Sequence, residues 1–302
     1  MSIRFDGRVA IITGAGNGLG RSHALAFAAR GAKVVVNDLG GARDGRGGSL
    51  SSAEHVVEEI KKAGGTAIAN GASVTDPKAV EGMVADALKA WGRVDILVNN
   101  AGILRDKSFA KMEIDDFRAV IDVHLMGGVI CSKAVWNAMR EQNYGRIVMT
   151  TSSSGLYGNF GQSNYAAAKM GLIGLMQTLA LEGAKNDVRC NAIAPTATTR
   201  MTDDILPGQI LQYFKPEYVT PAVLFMASEK APTRTIMTAG AGTYGTAHVT
   251  MTGGMHLGDG ADTPEKIAAN FATISDRSCE VVPKSGAEQS QNELAKRGVQ
   301  LS

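Results

Sequence analysis

The chain has 302 residues, 44% of them hydrophobic, and a formal net charge of +2. A core of ordinary size is within reach, while a charge this near zero, with no run of five like charges, leaves no electrostatic footprint for nucleic acid or a membrane surface. Cys131, Cys190 and Cys279 stand far apart without metal-ligand spacing, MSIRFDGRVA lacks a signal-peptide core, and no run of 18 apolar residues occurs, so a cytoplasmic protein with reduced thiols, no metal and no membrane span is expected.

The first element is RVAIIT (8–13), a β-branched run that ends in GAGNGLGR and passes into the Ala-rich helical pattern SHALAFAARG. The glycines at 14, 16, 18 and 20 do not satisfy G-x-G-x-x-G, but they fit T-G-x-x-x-G-x-G. Between a strand and a helix, missing side chains let the turn tighten and let a pyrophosphate reach backbone N–H groups at the helix N-terminus. KVVVND (33–38) is a second buried strand ending in Asp38, 24 residues after Gly14. A carboxylate there accepts bonds from adenosine ribose hydroxyls. It also opposes a 2′-phosphate, by about 1 kcal/mol in water and up to about 4 kcal/mol at a partly shielded site about 4 Å away. NAD rather than NADP is therefore the expected cofactor. LGGARDGRGGSLSS follows, Gly-rich and basic at Arg43 and Arg46, as either a linker or a clamp over phosphates ahead of the helix AEHVVEEIKKAGG.

TAIANGASV supplies a third strand, after which Asp76 and Pro77 stand as N-cap and first residue of the helix PKAVEGMVADALKAWG. RVDILVNNAGI is a fourth buried strand, and an apolar helix spans about 116 to 142 with His124 inside it. A free imidazole titrates near 6.5, so His124 would add pH sensitivity. RIVMTTS is the fifth strand and leads to Ser152. Tyr165 follows 13 residues later and Lys169 four after that, on the apolar helix AAAKMGLIGLMQTLAL, with Asn164 as the expected cap. The i, i+4 spacing puts phenol and ammonium on one helical face. A Tyr that works as acid/base at neutral pH needs its titration lowered by about three units, roughly 4 kcal/mol in favour of the anion.

NDVRCNAIAP is a sixth strand ending at Pro195; RMTDDILPGQILQYFKP (200–216) reads as a substrate lid, KPEYVTPAVLFMAS as a helix, and TIMTAGAGTYGTAHVTMTGG as a last strand region. DTPEKIAANFATISDR is a further helix before a polar end. Strands alternate with helices throughout, which predicts an α/β fold with a doubly wound parallel sheet over residues 1–260 and a C-terminal extension over 261–302.

Ser152, Tyr165 and Lys169 at this spacing, with the glycine turn and Asn99-Asn100-Ala101-Gly102, resemble the signature of the short-chain dehydrogenase/reductase family. Within it, VVVNDLGG, NNAGILRDKSFAKM and YGRIVMTTSSSGLYGNFGQSNYAAAK are most similar to the (3R)-hydroxyacyl-CoA dehydrogenase units of peroxisomal multifunctional enzymes, whose hydratase and sterol-carrier parts are not expected here. The resemblance implies oxidation of a secondary alcohol on an acyl-CoA or a steroid by NAD, in a homodimer or homotetramer packed through the helices 116–142 and 164–182. It assigns Tyr165 as acid/base, Lys169 as the charge beside it and a ribose contact, and Ser152 as the donor to the substrate oxygen. It places Gly14, Asn17, Gly18, Leu19, Asp38, Ser73, Val74, Asn100, Ala101, Gly102, Tyr165, Lys169, Pro195 and Thr198 around the cofactor. This sequence departs from the family in carrying His124 where an Asn usually holds a relay water, Ser73 where an acidic residue is usual, and Thr196 in place of a Gly. A 3-oxoacyl reductase of fatty-acid synthesis and a non-catalytic NAD-binding protein are the competing readings. Asp38 disfavours the first, and the presence of both Tyr165 and Lys169 disfavours the second.

Overall fold

The computed structural model describes residues 2–42, 44–198 and 208–299. The apolar runs lie side by side in one sheet whose strands are β1 (Val9–Thr13), β2 (Lys33–Asn37), β3 (Thr66–Asn70), β4 (Ile96–Asn99), β5 (Gly145–Thr150), β6 (Val188–Pro195), β7 (Ile236–Gly240) and β8 (Thr243–Ala247), in the order β3-β2-β1-β4-β5-β6-β7-β8. β1 to β7 pair parallel. Every residue of β1, β4 and β5 is buried, so both faces of the central sheet are covered. The covering helices are α1 (Gly18–Ala29), α2 (Ser51–Lys62), α3 (Pro77–Trp91), α4 (Ile114–Ile121), α5 (Gly127–Glu141), the short α6 (Ser153–Tyr157), α7 (Ser163–Gly183) and α8 (Thr220–Met226). The chain winds outward from β1 to β3, then returns to lay β4 against the other side of β1. That reversal opens a crevice between the carboxyl ends of β1 and β4, where open α/β sheets bind ligands.

Local chemistry explains most boundaries. Asp76 caps α3 by accepting from Lys78 N and Ala79 N, with Pro77 at the first helical position, as the sequence predicts. β7 and β8 are separate strands joined by Ala241 and Gly242, with φ of 50° and 74°; two left-handed residues make the tight turn that folds β8 back antiparallel. The helix expected over 116–142 starts at Ile114 and contains a π-turn, Asp122–Met126, between α4 and α5. This continuous helix, Ile114–Glu141, is long and apolar enough to cross a membrane by length and composition (mean hydropathy 1.4), but Val120, Cys131, Val135 and Met139 are buried as core of the fold. Helix α7 starts one residue before the expected cap. Gln162 is its N-cap, because the Asn164 side chain accepts from Tyr165 N at 2.7 Å and donates to Arg105 O at 3.0 Å. Of the stretch read as a lid, 200–207 lies outside the described residues; Gly208–Tyr213 and Pro216–Tyr218 are 3₁₀ turns.

Residues Ala247–Ser302 form a second compact unit. It contains α9 (Thr263–Ile274) and α10 (Ala287–Lys296), an antiparallel bridge between Met251 and Val281, and a bond from Thr252 Oγ1 to Ile274 O at 2.8 Å.

The amino ends of the strands are tied by buried charge. Asp95, just before β4, is fully buried and receives Arg8 Nη1 at 2.9 Å, Arg93 Nη2 at 2.6 Å and Val9 N at 2.9 Å. Arg146, in β5, is fully buried too: its guanidinium donates to Ser228 O (3.1 Å), Gly145 O (2.8 Å), Asp187 O (2.6 Å) and the Asp187 carboxylate (2.9 Å). Removing it takes the donor from the carbonyls of Gly145, Asp187 and Ser228, so Arg146→Ala is expected to lower the unfolding free energy by about 3–5 kcal/mol in denaturant titration, whereas Arg277→Ala, at an exposed ion pair, changes it by no more than about 1 kcal/mol. A loss below about 1 kcal/mol for Arg146→Ala contradicts this account of the sheet's amino end.

Candidate active site

At the crevice, β1 runs into a turn that only glycine permits. Gly14 has φ 62°, and a Cβ there would lie 2.8 Å from Ala101 Cα; at Gly16 it would lie 2.8 Å from Asp38 Oδ2. The turn is clamped from β4: Asn100 Nδ2 donates to Thr13 O at 2.9 Å and Gly14 O at 3.1 Å, while Thr13 Oγ1 accepts from Asn100 N at 3.0 Å and Ala101 N at 3.1 Å. Helix α1 then starts at Gly18 with no side-chain cap from Asn17 and no acidic residue in its first turn. Its first N–H groups are thus left to an anion at the positive end of the helix. Asp38 stands beside the turn, Oδ2 accepting from Gly16 N at 2.8 Å and Oδ1 from Gly40 N at 2.7 Å. Each carboxylate oxygen keeps a lone pair for another donor. An uncapped helix start, a tight glycine turn and a carboxylate with spare acceptor sites together fit a dinucleotide.

The second half of the site lies at the end of β5. Ser152 is the extended N-cap of α6, and its hydroxyl accepts from Ser154 N at 3.1 Å. Helix α7 sets Lys169 one turn after Tyr165. The lysine is 3% exposed, its Nζ donates to Thr150 O at 2.6 Å, and it lies 5.3 Å from the Tyr165 ring centroid. Burial pulls the Lys169 ammonium down to about 7 and pushes the Tyr165 phenol up to about 12; the Ser152 hydroxyl opposes that rise and the Asp106 carboxylate adds to it. The downward shift expected of Tyr165 is not supplied in this structure, because desolvation outweighs the lowering by the Ser152 hydroxyl.

His124 projects from the π-turn and meets Tyr165 edge-on, ring centroids 5.1 Å apart. Nε2 lies 2.8 Å from Ile103 O and 3.1 Å from Ile103 N, while the buried Nδ1 has no partner among the described residues. Burial, then the nearby Lys169 charge, holds the imidazolium well below its usual range. His124 is thus neutral at physiological pH, and the pH sensitivity read from a free imidazole is not available. Gly102 is required here, since a Cβ would fall 2.2 Å from His124 Cε1.

Ser152, Tyr165 and Lys169 are brought together, as are the glycine turn, Asp38 and Asn100 to Gly102. Val74 is buried against Gly127, and Ser73 bonds Thr75 Oγ1 at 2.8 Å, its hydroxyl already engaged. Pro195 ends β6, and Thr198 Oγ1 donates to Leu211 O at 3.1 Å. Thr199 and Met201 lie outside the described residues, as does Arg43. Sequence reading passed over Thr13, Ser154, Gln162 and Asp106. The first was visible as the residue preceding the glycines; the others matter through hydrogen bonds between segments that no local spacing announces.

A family model described as short chain dehydrogenase matches residues 8–209. The chain is 48% identical over 296 residues to peroxisomal multifunctional enzyme A of Dictyostelium discoideum, covering 98% of this chain and 66% of that protein. Its structure is similar to that of full-length peroxisomal multifunctional enzyme type 2 from Drosophila melanogaster, with TM-score 0.80 and 41% identity, over 98% of this chain and 50% of that one. It is also similar to a 7α-hydroxysteroid dehydrogenase complexed with NADH and 7-oxo glycochenodeoxycholic acid, with TM-score 0.71 and 31% identity, over 79% of this chain and 95% of that one. The chain spans between 31% and 66% of the length of the multifunctional-enzyme and hydratase-dehydrogenase-epimerase relatives it matches. With the family model spanning the crevice and the Ser152, Tyr165 and Lys169 cluster alike, the chain belongs to the short-chain dehydrogenase/reductase family.

Proposed function

We propose that the chain is an NAD-dependent dehydrogenase that interconverts a secondary alcohol and a ketone on a (3R)-hydroxyacyl-CoA or a hydroxysteroid. The observation that carries this reading is the convergence of Ser152, Tyr165 and Lys169 at the end of β5, beside the crevice between β1 and β4. The acyl-CoA reading is supported by the likeness of NNAGILRDKSFAKM and its companion stretches to hydroxyacyl-CoA dehydrogenase units, the steroid reading by likeness to the 7α-hydroxysteroid dehydrogenase. Free cysteines support a reducing, cytoplasmic setting. Exposed Ile114, Met126, Met170 and Leu181 support packing of copies through α4, the π-turn and α7, as a dimer or tetramer.

NAD, when bound, supplies the acceptor for the hydride on the alcohol carbon. The turn Gly14 to Leu19, with Asn17, and the start of α1 hold its pyrophosphate; Asp38 takes the adenosine ribose, Ser73 and Val74 flank the adenine, and Asn100 to Gly102, Lys169, Pro195 and Thr198 line the nicotinamide end. Ser152 donates to the substrate oxygen. Tyr165 takes the hydroxyl proton in oxidation and returns it in reduction. When protonated, Lys169 places a positive charge 5.3 Å from the Tyr165 ring centroid, and with the cationic ring of bound NAD it would favour the phenolate.

Cofactor choice rests on Asp38. Calorimetric titrations are expected to favour NAD over NADP by at least about tenfold, equivalent to about 1.4 kcal/mol; equal affinities rule out the assignment. The acid/base role is tested by Tyr165→Phe, which removes one oxygen and little volume. Turnover of a (3R)-hydroxyacyl-CoA or a hydroxysteroid should fall by a factor of about 10² to 10⁴ while NAD affinity stays within a few-fold, and the rise of oxidation with pH should disappear. Wild-type turnover with an unchanged pH profile in that variant would overturn the reading.

A further inference from the structure

A chain of hydrogen bonds joins the segment after Ser152 to the segment after β4. Ser154 Oγ donates to Gln162 Oε1 at 2.7 Å, Asn159 Nδ2 donates to the same oxygen at 3.0 Å, and Gln162 Nε2 donates to Asp106 Oδ2 at 2.7 Å. Ser154 and Gln162 are buried, 8% and 7% exposed, whereas Asp106 is exposed and faces a cavity of about 370 Å³. Backbone contacts run alongside, with Lys107 N donating to Gly161 O at 3.0 Å and Asn164 Nδ2 to Arg105 O at 3.0 Å.

The direction of this chain is fixed from its exposed end. An ionised carboxylate can only accept, so Asp106 must receive the Gln162 amide's N–H. The amide carbonyl then has to face Ser154 and Asn159, which commits the Ser154 hydroxyl proton to it. Ser154 in turn anchors Ser152 through its backbone N–H, at 3.1 Å. Because Gln162 is also the N-cap of α7, three residues before Tyr165, one side chain ties the serine turn to the tyrosine helix.

We propose that Asp106 and Gln162 are positioning residues for the Ser152 and Tyr165 pair: Asp106 orients the Gln162 amide, and Gln162 holds the Ser152 to Ser154 turn against the start of α7. The proposal rests on the reading of Tyr165 as acid/base. Its charge consequence follows from what faces that phenol: Ser152 from the turn before α6, neutral His124 from the π-turn, Lys169 from α7 and Asp106 from the segment after β4. Arg105 and Lys107, on the same segment as Asp106, are paired with Asp116 at 3.1 Å and 2.8 Å. Asp106 is the anion in this set, and it works against the phenolate while Ser152 works for it.

The test compares pH profiles of alcohol oxidation, with a medium-chain (3R)-hydroxyacyl-CoA and NAD, for the native chain, Asp106→Asn, Asp106→Glu and Gln162→Leu, alongside thermal midpoints and NAD affinity by calorimetry. Asp106→Asn is expected to move the midpoint of the profile to lower pH by about half a unit or more, while Asp106→Glu, which keeps the charge, holds it within about 0.2 units. Gln162→Leu is expected to lower kcat at least about tenfold with KM and NAD affinity within about threefold. An alkaline absorbance titration of the Tyr165 phenol, taken as the difference from Tyr165→Phe, reads the same Asp106→Asn shift without turnover. An unmoved midpoint in both measurements overturns the proposal, as does native kcat in a folded Gln162→Leu. Should Gln162→Leu fail to fold, the exposed Asp106 pair decides alone. Failure of the underlying reading looks different: Tyr165→Phe then keeps its turnover, whatever Asp106 does.

Discussion

The ammonium of Lys169 is buried at the end of β5 against one backbone carbonyl and, among the described residues, no carboxylate. Desolvation of a charge without a partner is costly, and the fold accepts that cost by tilting Lys169 toward its neutral form, near 7. The neighbours follow from this one placement. Tyr165, partly buried one turn before it, resists ionisation for the same reason. His124 cannot take a proton beside it. Burial in this region works against a charge on each of these groups.

The sheet carries two opposite kinds of polar burial at its two ends. At the amino end, Asp95 and Arg146 are enclosed by partners that meet their donors and acceptors. At the carboxyl end, among the described residues, Thr150 Oγ1 and His124 Nδ1 are buried without a partner, and the Lys169 ammonium donates to Thr150 O. Satisfied polar groups rigidify a fold, while unsatisfied ones mark where it expects something else to bind. Strands β4 and β5 connect both ends, so the rigid amino end fixes the positions of the groups that face the crevice.

Much of this was legible in the sequence because it is local. Strand runs such as KVVVND, the glycine turn, the Asp76-Pro77 helix start and the i, i+4 pair at Tyr165 and Lys169 each state their geometry within a few residues. The π-turn at Asp122–Met126 was hidden, since it changes the period of a helix without changing its composition. The role of Asn164 was misplaced for a tertiary reason: its amide donates to the carbonyl of Arg105, 59 residues away, and the helix begins at Ser163 with Gln162 at the cap position. The sign of the Tyr165 shift also depends on burial that spacing alone does not report. Asp106 and Gln162 escaped notice because a hydrogen bond spanning 56 residues leaves no local pattern.

The buried, unpartnered lysine can be tested without any substrate, through the pH dependence of stability in the native chain and in Lys169→Met. A folded-state value lowered from 10.5 to about 7 means that, as pH falls, the unfolded chain takes up the proton first. The native chain therefore loses stability between about pH 10.5 and about pH 7 and no more below that, whereas the methionine variant has no such term. Thermal or denaturant unfolding across this range is expected to show the variant gaining on the native chain as pH falls, by up to a few kcal/mol at pH 7, with the difference then level. A stability difference that stays constant from pH 10 to pH 6 would contradict the account, since Lys169 would then carry the same charge folded and unfolded.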